Sequence, residues 1–265
     1  MPADIITSPA NADIKLLRSL ALRKYRRQTG WFLAEGMRIC TEAVQLGHLP
    51  QRLVYAADRP DMPGLDRLIA ACQTGGGRAL PVSPALLGKI SRKDNPQMVI
   101  AAFAMVEASP DVIQPDPARC WIALDRCRDP GNLGTIMRTA DAVGAAGIIL
   151  IGESCDPFSV EAVRASMGAI FNVAITRLDE PGFLAFAKGW PGRITGTALP
   201  AAVDYRTADW GGPQIIVMGN EQAGLTDALA ASCHQLVKMP MQGRSDSLNL
   251  AVATGLAAYE WLRCQ

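Results

Sequence analysis

The sequence has few residues of the kinds that bind metals or build disulfide frameworks. Only two of its 265 residues are histidine, His48 and His234. A histidine-rich metal site and a histidine-based catalytic triad are therefore disfavoured. The seven cysteines include no C-x-x-C pair, which disfavours a zinc site and a disulfide framework and is typical of reduced thiols in a cytoplasmic protein. We therefore expect no bound metal and a cytoplasmic location.

Long apolar stretches and cofactor fingerprints are also absent. Every window of about eighteen residues contains polar side chains, so no membrane span is expected. The first fifteen residues lack a basic segment followed by an apolar one, so no secretory signal is expected. No G-x-G-x-x-G occurs, and the run Gly75-Gly76-Gly77 lacks a following GK[ST]. Both absences disfavour a dinucleotide or phosphate loop.

Proline marks a division of the chain. Pro110, Pro115 and Pro117 lack backbone N–H donors and fix the backbone, which predicts a linker between two domains. A length of 265 residues, 49% of them apolar and 19% charged, fits one large or two modest globular domains. The predicted first domain, linker and second domain are residues 1–107, 108–117 and 118–265.

Positive charge is concentrated in the first domain. Residues 1–116 carry fourteen Lys or Arg and eleven Asp or Glu, a net charge of +3, whereas the remaining residues carry twelve and fourteen, a net charge of −2. No acid lies between Ile14 and Ala34, where the leucine spacing predicts a helix with one buried stripe. This face is either solvated surface or a contact for RNA phosphates, and Tyr25 and Trp31 within it either stack on a base or belong to the core.

The apolar patterns predict an α/β fold in both domains. In the first, a helix over 35–46 and strands over 51–57, 78–83 and 98–106 indicate a small mixed domain. In the second, apolar strands alternate with helices, which is typical of a parallel sheet covered on both faces. Its predicted strands are residues 120–124, 147–151, 172–175, 193–197, 214–218 and 235–239.

Two loops after predicted strands of the second domain carry polar residues. In the first loop, we expect Asn132 to cap a helix and Arg138 to project from the second turn of that helix. In the second loop, Gly219 allows a ligand to approach the backbone closely, and the Glu221 carboxylate can fix a polar group. Ligands of parallel α/β sheets gather in loops of this kind.

A third loop, residues 238–249, leads into the last helix, which either Ser247 or Asn249 begins. Each loop alone is weak evidence. The three loops contain Asn132-Leu133-Gly134 with Arg138-Thr139-Ala140, Gly219-Asn220-Glu221 with Gly224-Leu225, and Met239-Pro240-Met241 with Ser247-Leu248-Asn249. In order and spacing they resemble the motifs of the SpoU (TrmH-type) family of RNA ribose 2′-O-methyltransferases, within the SPOUT superfamily. Phe32-Leu33-x-Glu35-Gly36 and the segment 164–169 resemble the family as well.

The resemblance implies a fold, a cofactor and partners. The fold would be a SPOUT-type parallel sheet with a C-terminal trefoil knot, preceded by a small domain similar to ribosomal protein L30e that binds RNA. Family members bind S-adenosylmethionine in the knot, usually as homodimers whose active site uses both subunits. The implied activity is methylation of a ribose 2′-hydroxyl in structured RNA.

The resemblance also assigns site residues. The expected catalytic residues are Arg138, Asn132, Glu221, Ser247 and Asn249. The expected cofactor contacts are Thr197, Ala198, Gly219, Met239 and Leu248. The expected RNA contacts are Arg23, Lys24, Arg26 and Arg27. Arg138 is expected to be essential, either as the base or as a clamp on the phosphate beside the target ribose, with Glu221 fixing it in place.

Alternatives remain open on the residues alone. Ribosomal RNA is favoured over transfer RNA as substrate by the two-domain layout. A module that binds RNA and keeps the fold without catalysis is disfavoured by the intact set of polar motif residues. An oxidoreductase with a nucleotide cofactor is disfavoured by the missing glycine fingerprint.

Overall fold

The chain divides into two compact units. The structure, a computed structural model, describes residues 5–91, 96–199 and 203–265. The first unit comprises Met1–Val106 together with Phe158–Phe171, and the second comprises Glu107–Pro157 and Asn172–Gln265. The second unit begins at Glu107 and includes the segment 108–117, for which a linker was predicted. The return of residues 158–171 to the first unit has no counterpart in the sequence-based division.

The first unit is built on a mixed four-stranded sheet, in keeping with the predicted small α/β domain. Its strands are β1 (Trp31–Glu35), β2 (Arg52–Ala56), β3 (Arg78–Val82) and β4 (Val99–Ala104). The order is β1-β4-β2-β3, with β4 antiparallel to both of its neighbours and β2 parallel to β3. Leucine, isoleucine and valine side chains between the sheet and its helices form the core of this unit.

The second unit contains the predicted parallel sheet. Its strands are β5 (Trp121–Asp125), β6 (Gly147–Ile151), β7 (Ala174–Leu178), β8 (Arg193–Thr197), β9 (Val203–Asp204), β10 (Gln214–Met218) and β11 (Gln235–Lys238). The order is β7-β6-β5-β10-β8-β11-β9, and every pairing is parallel. The strands β5, β6 and β10 are buried along their whole length, as expected for a sheet covered on both faces.

Helices cover both sheets. In chain order they are α1 (Ala12–Ser19), α2 (Arg23–Thr29), α3 (Met37–Gln45), α4 (Leu65–Thr74), α5 (Pro84–Ser91), α6 (Pro130–Ala142), α7 (Val160–Ser166), α8 (Glu180–Lys188), α9 (Asp227–Ser232) and α10 (Leu250–Arg263). The basic segment therefore forms two helices, α1 and α2, where the leucine spacing predicted one. The break is stabilised by Arg26, whose guanidinium donates hydrogen bonds to the carbonyls of Leu20 and Ala21 at 2.8 and 3.0 Å.

The helix α6 begins earlier than predicted. Its cap is Asp129, whose carboxylate accepts a hydrogen bond from the N–H of Asn132 at 2.6 Å, and Pro130 occupies the first helical position. Asn132 therefore lies inside the helix and is not its cap. Arg138 is the ninth helical residue and projects from the third turn rather than the second. At α10 the open choice is resolved, because Asn249 is the cap.

The segment Phe158–Phe171 completes the core of the first unit. The ring of Phe32 in β1 lies 5.1 Å from that of Phe158 and 5.5 Å from that of Phe171. Arg164 in α7 forms a two-pronged ion pair with Glu35, with nitrogen–oxygen distances of 2.8 to 3.1 Å. Apolar packing and a charge-assisted ion pair thus hold this segment against β1, although the two are far apart in sequence.

Candidate active site

Three loops of the second unit begin where its central parallel strands end. They follow β5, β10 and β11; β5 and β10 are direct neighbours in the sheet, and β8 lies between β10 and β11. Because the carboxyl ends of parallel strands meet at one edge of a sheet, the three loops with the polar motifs share that edge.

A chain of side-chain hydrogen bonds joins the three loops. The amide of Asn249 donates to Oδ1 of Asn132 at 2.8 Å, and the amide of Asn132 donates to Oε1 of Glu221 at 3.4 Å. The Glu221 carboxylate also accepts from the main-chain N–H of Arg128 at 3.5 Å. One residue from each motif therefore meets in a single group, Asn249, Asn132 and Glu221, which we call the amide–carboxylate chain.

The loop after β5 is anchored by a charged pair that the sequence analysis did not single out. Asp125 is 1% exposed and accepts two hydrogen bonds from Arg126, both at 2.8 Å. Arg126 has φ of 47°, a left-handed conformation that is costly for a residue with a side chain. Its carbonyl accepts from Asn220 at 2.9 Å, so this strained residue ties the first loop to the second.

The loop after β10 is a tight turn closed by its own backbone. Asn220 and Gly224 exchange two main-chain hydrogen bonds at 3.0 and 3.1 Å. A Cβ atom at Gly219 would lie 2.5 Å from the backbone of Gly224 and Leu225. We expected this glycine to let a ligand approach; the structure shows that the missing side chain is required by the turn itself.

Two of the predicted catalytic side chains lie apart from these hydrogen bonds. Arg138 is exposed on α6, and within the described part of the chain it forms neither a hydrogen bond nor an ion pair. The expected contact between Glu221 and Arg138 is therefore absent, since the Glu221 carboxylate is directed towards Asn132 and Arg128. Ser247 is exposed in the loop before α10 and does not begin that helix.

A pocket of about 390 Å³ opens beside the third loop. Met239 and Leu248, both predicted cofactor contacts, line it together with Met241 and Leu256. Tyr205 and Arg206, which no sequence motif indicated, also line it. Its volume falls within the lower part of the range for small-molecule sites, and its walls combine apolar and polar side chains.

The remaining predicted cofactor residues lie at strand ends nearby in the fold, outside the lining of this pocket. Thr197 ends β8, and its hydroxyl donates to the carbonyl of Val217 at 3.4 Å. The N–H of Ala198 donates to the carbonyl of Val237 at 3.0 Å. Gly219 lies in the turn after β10. The contacts observed for Thr197, Ala198 and Gly219 are thus with the sheet and its turns.

Comparison with known proteins assigns this site to a family. The family model described as the SpoU rRNA Methylase family matches residues 119–259, which include all three loops. The chain belongs to the SpoU rRNA methylase family. This membership confirms the resemblance drawn from the motifs and the predicted class of activity, RNA methylation.

Relatives of the SpoU family match over nearly the whole chain. The 23S rRNA (uridine(2479)-2'-O)-methyltransferase of Streptomyces viridochromogenes is 32% identical, over 92% of this chain and 86% of the relative. The 23S rRNA (guanosine(2553)-2'-O)-methyltransferase RlmP of Bacillus subtilis is 27% identical, over 96% and 97%. The crystal structure of an AdoMet-bound rRNA methyltransferase from Sinorhizobium meliloti, 42% identical, matches with a TM-score of 0.93 over 99% of this chain and 98% of that one.

The first unit carries the second family match and the basic residues. An MRM3-like substrate binding domain model matches residues 11–101. In α2, Arg23, Lys24 and Arg27 are exposed, as a phosphate contact requires. Arg26 is only 3% exposed, because its guanidinium turns inward to the carbonyls of the α1–α2 break. Including Arg26 among the RNA contacts was therefore wrong.

The two aromatic residues of this SpoU protein's basic segment differ in burial. Tyr25 is 37% exposed, and the ammonium of Lys24 lies 5.9 Å from its ring centre. Trp31 packs against the core of the first unit, and the guanidinium of Arg52 lies 5.2 Å from its ring centre. Tyr25 thus lies at the surface beneath the Lys24 ammonium, whereas Trp31 packs against the core.

Metal and membrane sites were searched within residues 5–91, 96–199 and 203–265. Over those ranges, no group of three or more His, Cys, Asp or Glu side chains is placed to hold a metal ion. No helix there combines the length and apolar character that crossing a bilayer requires.

Proposed function

We propose that this protein transfers the methyl group of S-adenosylmethionine to a ribose 2′-hydroxyl of large-subunit ribosomal RNA. The observation that carries the proposal is the amide–carboxylate chain, which joins the three family motifs at the end of the parallel sheet. Relatives named as 23S rRNA 2'-O-methyltransferases, aligned along more than 90% of this chain, support the substrate class.

The pocket fits an adenosine-bearing cofactor. Met239, Met241 and Leu248 provide apolar surface for the faces of a base, and Tyr205, Arg206 and Gln242 provide polar groups beside it. We propose that Met239 and Leu248 hold the cofactor there, with Gly219, Thr197 and Ala198 shaping the adjoining strand ends. When bound, S-adenosylmethionine supplies an electrophilic methyl group on a sulfonium that is a good leaving group.

The polar residues then have two tasks. The amide–carboxylate chain holds the loop edges in one geometry, so that the attacking 2′-oxygen is aligned and not merely captured. Among the described residues no side chain or carbonyl pairs with Arg138, and its planar guanidinium suits two parallel hydrogen bonds to a phosphate. We propose that it clamps the phosphate beside the target ribose and stabilises the charge that develops when the hydroxyl loses its proton. Ser247 would contribute to the shape of the same edge.

A homodimer is supported by the outer face of α10. Val252, Leu256, Tyr259 and Leu262 are 38% to 54% exposed, and their spacing places them along one side of the helix. Exposed apolar surface of this kind marks association sites. The same helix contacts α6, which carries Arg138. We propose that pairing through α10 brings Arg138 towards the partner's site.

The family's trefoil knot is proposed for the segment after β10. The strand β11 pairs beyond β8, yet the chain then returns to place α10 against α6 and β10, as threading of the C-terminal segment requires. We also propose a cytoplasmic location, because ribosomal RNA is the substrate class and all seven cysteines are free.

The decisive experiment is mapping of 2′-O-methyl groups in total RNA from cells with and without this protein. We expect one position in large-subunit ribosomal RNA to lose its methyl group, and purified protein with S-adenosylmethionine to restore it. Loss of a methyl group only from transfer RNA would show that transfer RNA, and not ribosomal RNA, is the substrate. Failure of well-folded protein to bind S-adenosylmethionine in calorimetry, with and without RNA, would overturn the methyltransferase assignment.

A further inference from the structure

Two cysteines lie directly behind the amide–carboxylate chain. Cys127 is fully buried in the loop after β5, and Cys155 is half-buried in the loop after β6. The N–H of Cys155 donates to the carbonyl of Cys127 at 2.8 Å, and the two thiols interact closely enough that each shifts the pKa of the other. The two residues are therefore direct neighbours, in the loops that follow the adjacent parallel strands β5 and β6.

The backbone spacing suits a covalent bond between them. Covalent geometry around the 2.8 Å hydrogen bond keeps the two Cα atoms within about 7 Å, the range in which a disulfide forms without large backbone movement. By contrast, Cys40, Cys72 and Cys120 are buried elsewhere, and Cys264 is exposed at the end of α10.

The two thiols also differ in reactivity in the way that sequential oxidation requires. The hydrogen bond from Cys127 lowers the pKa of Cys155, so the partly accessible thiol is the one favoured as thiolate. The pKa of Cys127 is raised because Cys155 accepts its hydrogen bond and because it is buried beside Glu221. The nucleophile is thus the residue that solvent reaches, and the second thiol is enclosed next to it.

The Cys127 thiol touches the machinery of the proposed function. Its sulfur lies 3.8 Å from Oε1 of Glu221 and 3.8 Å from the carbonyl of Asp129, the cap of α6. Asp129 begins the helix that carries Asn132 and Arg138. A displacement of this sulfur therefore acts on both Glu221 and the start of α6.

We propose that Cys127 and Cys155 form a reversible disulfide that disables the site. The Cys155 thiolate attacks one sulfur of a small-molecule disulfide such as oxidised glutathione, which forms a mixed disulfide and releases one thiolate. Cys127 then gives up its proton, attacks Cys155 and releases the second thiol. The net change oxidises two protein thiols and reduces one glutathione disulfide to two thiols.

Closing this bond brings the sulfurs to about 2.05 Å and withdraws Cys127 from Glu221 and Asp129. The consequence for methylation rests on the proposed function. A displacement of about 1 Å at an aligned site costs about 100-fold in rate, so we expect a loss of that size on oxidation and full recovery with dithiothreitol.

The test uses the full-length protein, equilibrated with graded ratios of reduced and oxidised glutathione, alkylated and mapped as non-reduced peptides. Wild type and the control Cys264→Ser should yield the linked Cys127–Cys155 peptide and lose methyl transfer together. Cys155→Ser should yield no such peptide and keep a rate that is insensitive to oxidised glutathione. Absence of the linked peptide at every ratio would overturn the proposal, as would its formation with an unchanged rate.

Amide hydrogen exchange provides a readout that does not depend on methylation. Oxidation should change exchange in residues 126–134 and 219–224 of wild type but not of Cys155→Ser, and unchanged exchange in linked wild type would equally overturn the proposal. If the reduced protein binds no cofactor and methylates no RNA, the proposed function fails. Peptide mapping and hydrogen exchange would still show whether the disulfide forms and whether it alters the loops.

Discussion

The two units place the residues of the proposed function in different ways. In the first unit, the basic side chains Arg23, Lys24 and Arg27 project from the short helix α2, and each is exposed on its own. In the second unit, polar side chains lie at the ends of parallel strands and are held by one another. Capture of a polyanion needs only accessible charge, whereas alignment of reacting atoms needs groups fixed in place. Mutations of the exposed charges in the first unit should therefore lower RNA affinity, whereas mutations of the polar residues in the second should lower the rate of methyl transfer.

The largest effect is expected at Arg138. Replacing Arg138 by Ala should lower the single-turnover rate by at least about 100-fold, because a positioned charge in an active site contributes on that scale. Arg138→Lys should also be poor, since an ammonium does not reproduce the planar fork. Calorimetry should show unchanged S-adenosylmethionine affinity.

The matched control for Arg138 is Arg27→Ala, which removes an exposed arginine from the first unit. At saturating RNA it should keep a near-normal rate. Equal losses of rate in the two variants would show that the two units do not differ in this respect. A near-normal rate for Arg138→Ala would show that Arg138 has no part in catalysis.

The second prediction concerns the turn after β10. Gly219→Ala should destabilise the protein by about 1–3 kcal/mol, since the new methyl group meets backbone at 2.5 Å and the turn must shift. Cofactor affinity should fall with it. Gly243→Ala is the control, because a Cβ there meets nothing within 4 Å. Urea unfolding checks both variants, and equal stabilities would refute the steric account.

The third prediction separates two adjacent arginines. Arg26→Gln should cost about 1.5–3 kcal/mol of unfolding free energy, because buried carbonyls lose hydrogen bonds from a charged group. Arg27→Gln should stay within about 0.5 kcal/mol of wild type, as surface changes usually do. Denaturant titration of both variants measures the two unfolding free energies. Equal stabilities would mean that the Arg26 side chain is not held by these buried hydrogen bonds and lies at the surface as Arg27 does.

The fourth prediction uses the two roles of Asn249, which caps α10 and donates to Asn132. Asn249→Ala should lose about 1 kcal/mol of stability through the missing cap. Asn249→Ser keeps a capping oxygen and should recover that stability, yet both variants should methylate about tenfold more slowly because the amide donor is gone. A normal rate for Asn249→Ser would show that the amide–carboxylate chain serves folding alone.

The smallest effect per residue is expected in the first unit. Replacing Arg23, Lys24 and Arg27 together by Gln should weaken binding of substrate and unrelated RNA alike. It should also make the plot of log affinity against log salt concentration shallower by up to about 2 units, since each phosphate contact releases about 0.7 counterions from single-stranded RNA when it forms. A salt titration of RNA affinity against wild type measures this, and identical slopes would mean that α2 is only solvated surface.

Several features could be predicted from the sequence because they depend on local pattern. The sequence patterns at 147–151, 193–197 and 214–218 predicted strands, and the structure has those strands with the same bounds. Helical patterns between the strands favoured parallel pairing, because parallel neighbours need a crossover connection. The spacing of the three motifs was sufficient to indicate the SpoU family, since all three lie within the 141 residues that its model matches.

Tertiary structure decided which side chains meet. Asp129 rather than Asn132 caps α6, and Arg26 is buried while Arg27 is exposed, although each pair shares one segment and similar chemistry. Phe158 and Phe171 return to Phe32 across more than a hundred residues. Periodicity specifies the character of a strand or a helix, but burial and contact depend on elements distant in sequence that pack against it. For this reason the motifs indicated the candidate site, and only the fold showed that Asn249, Asn132 and Glu221 meet there.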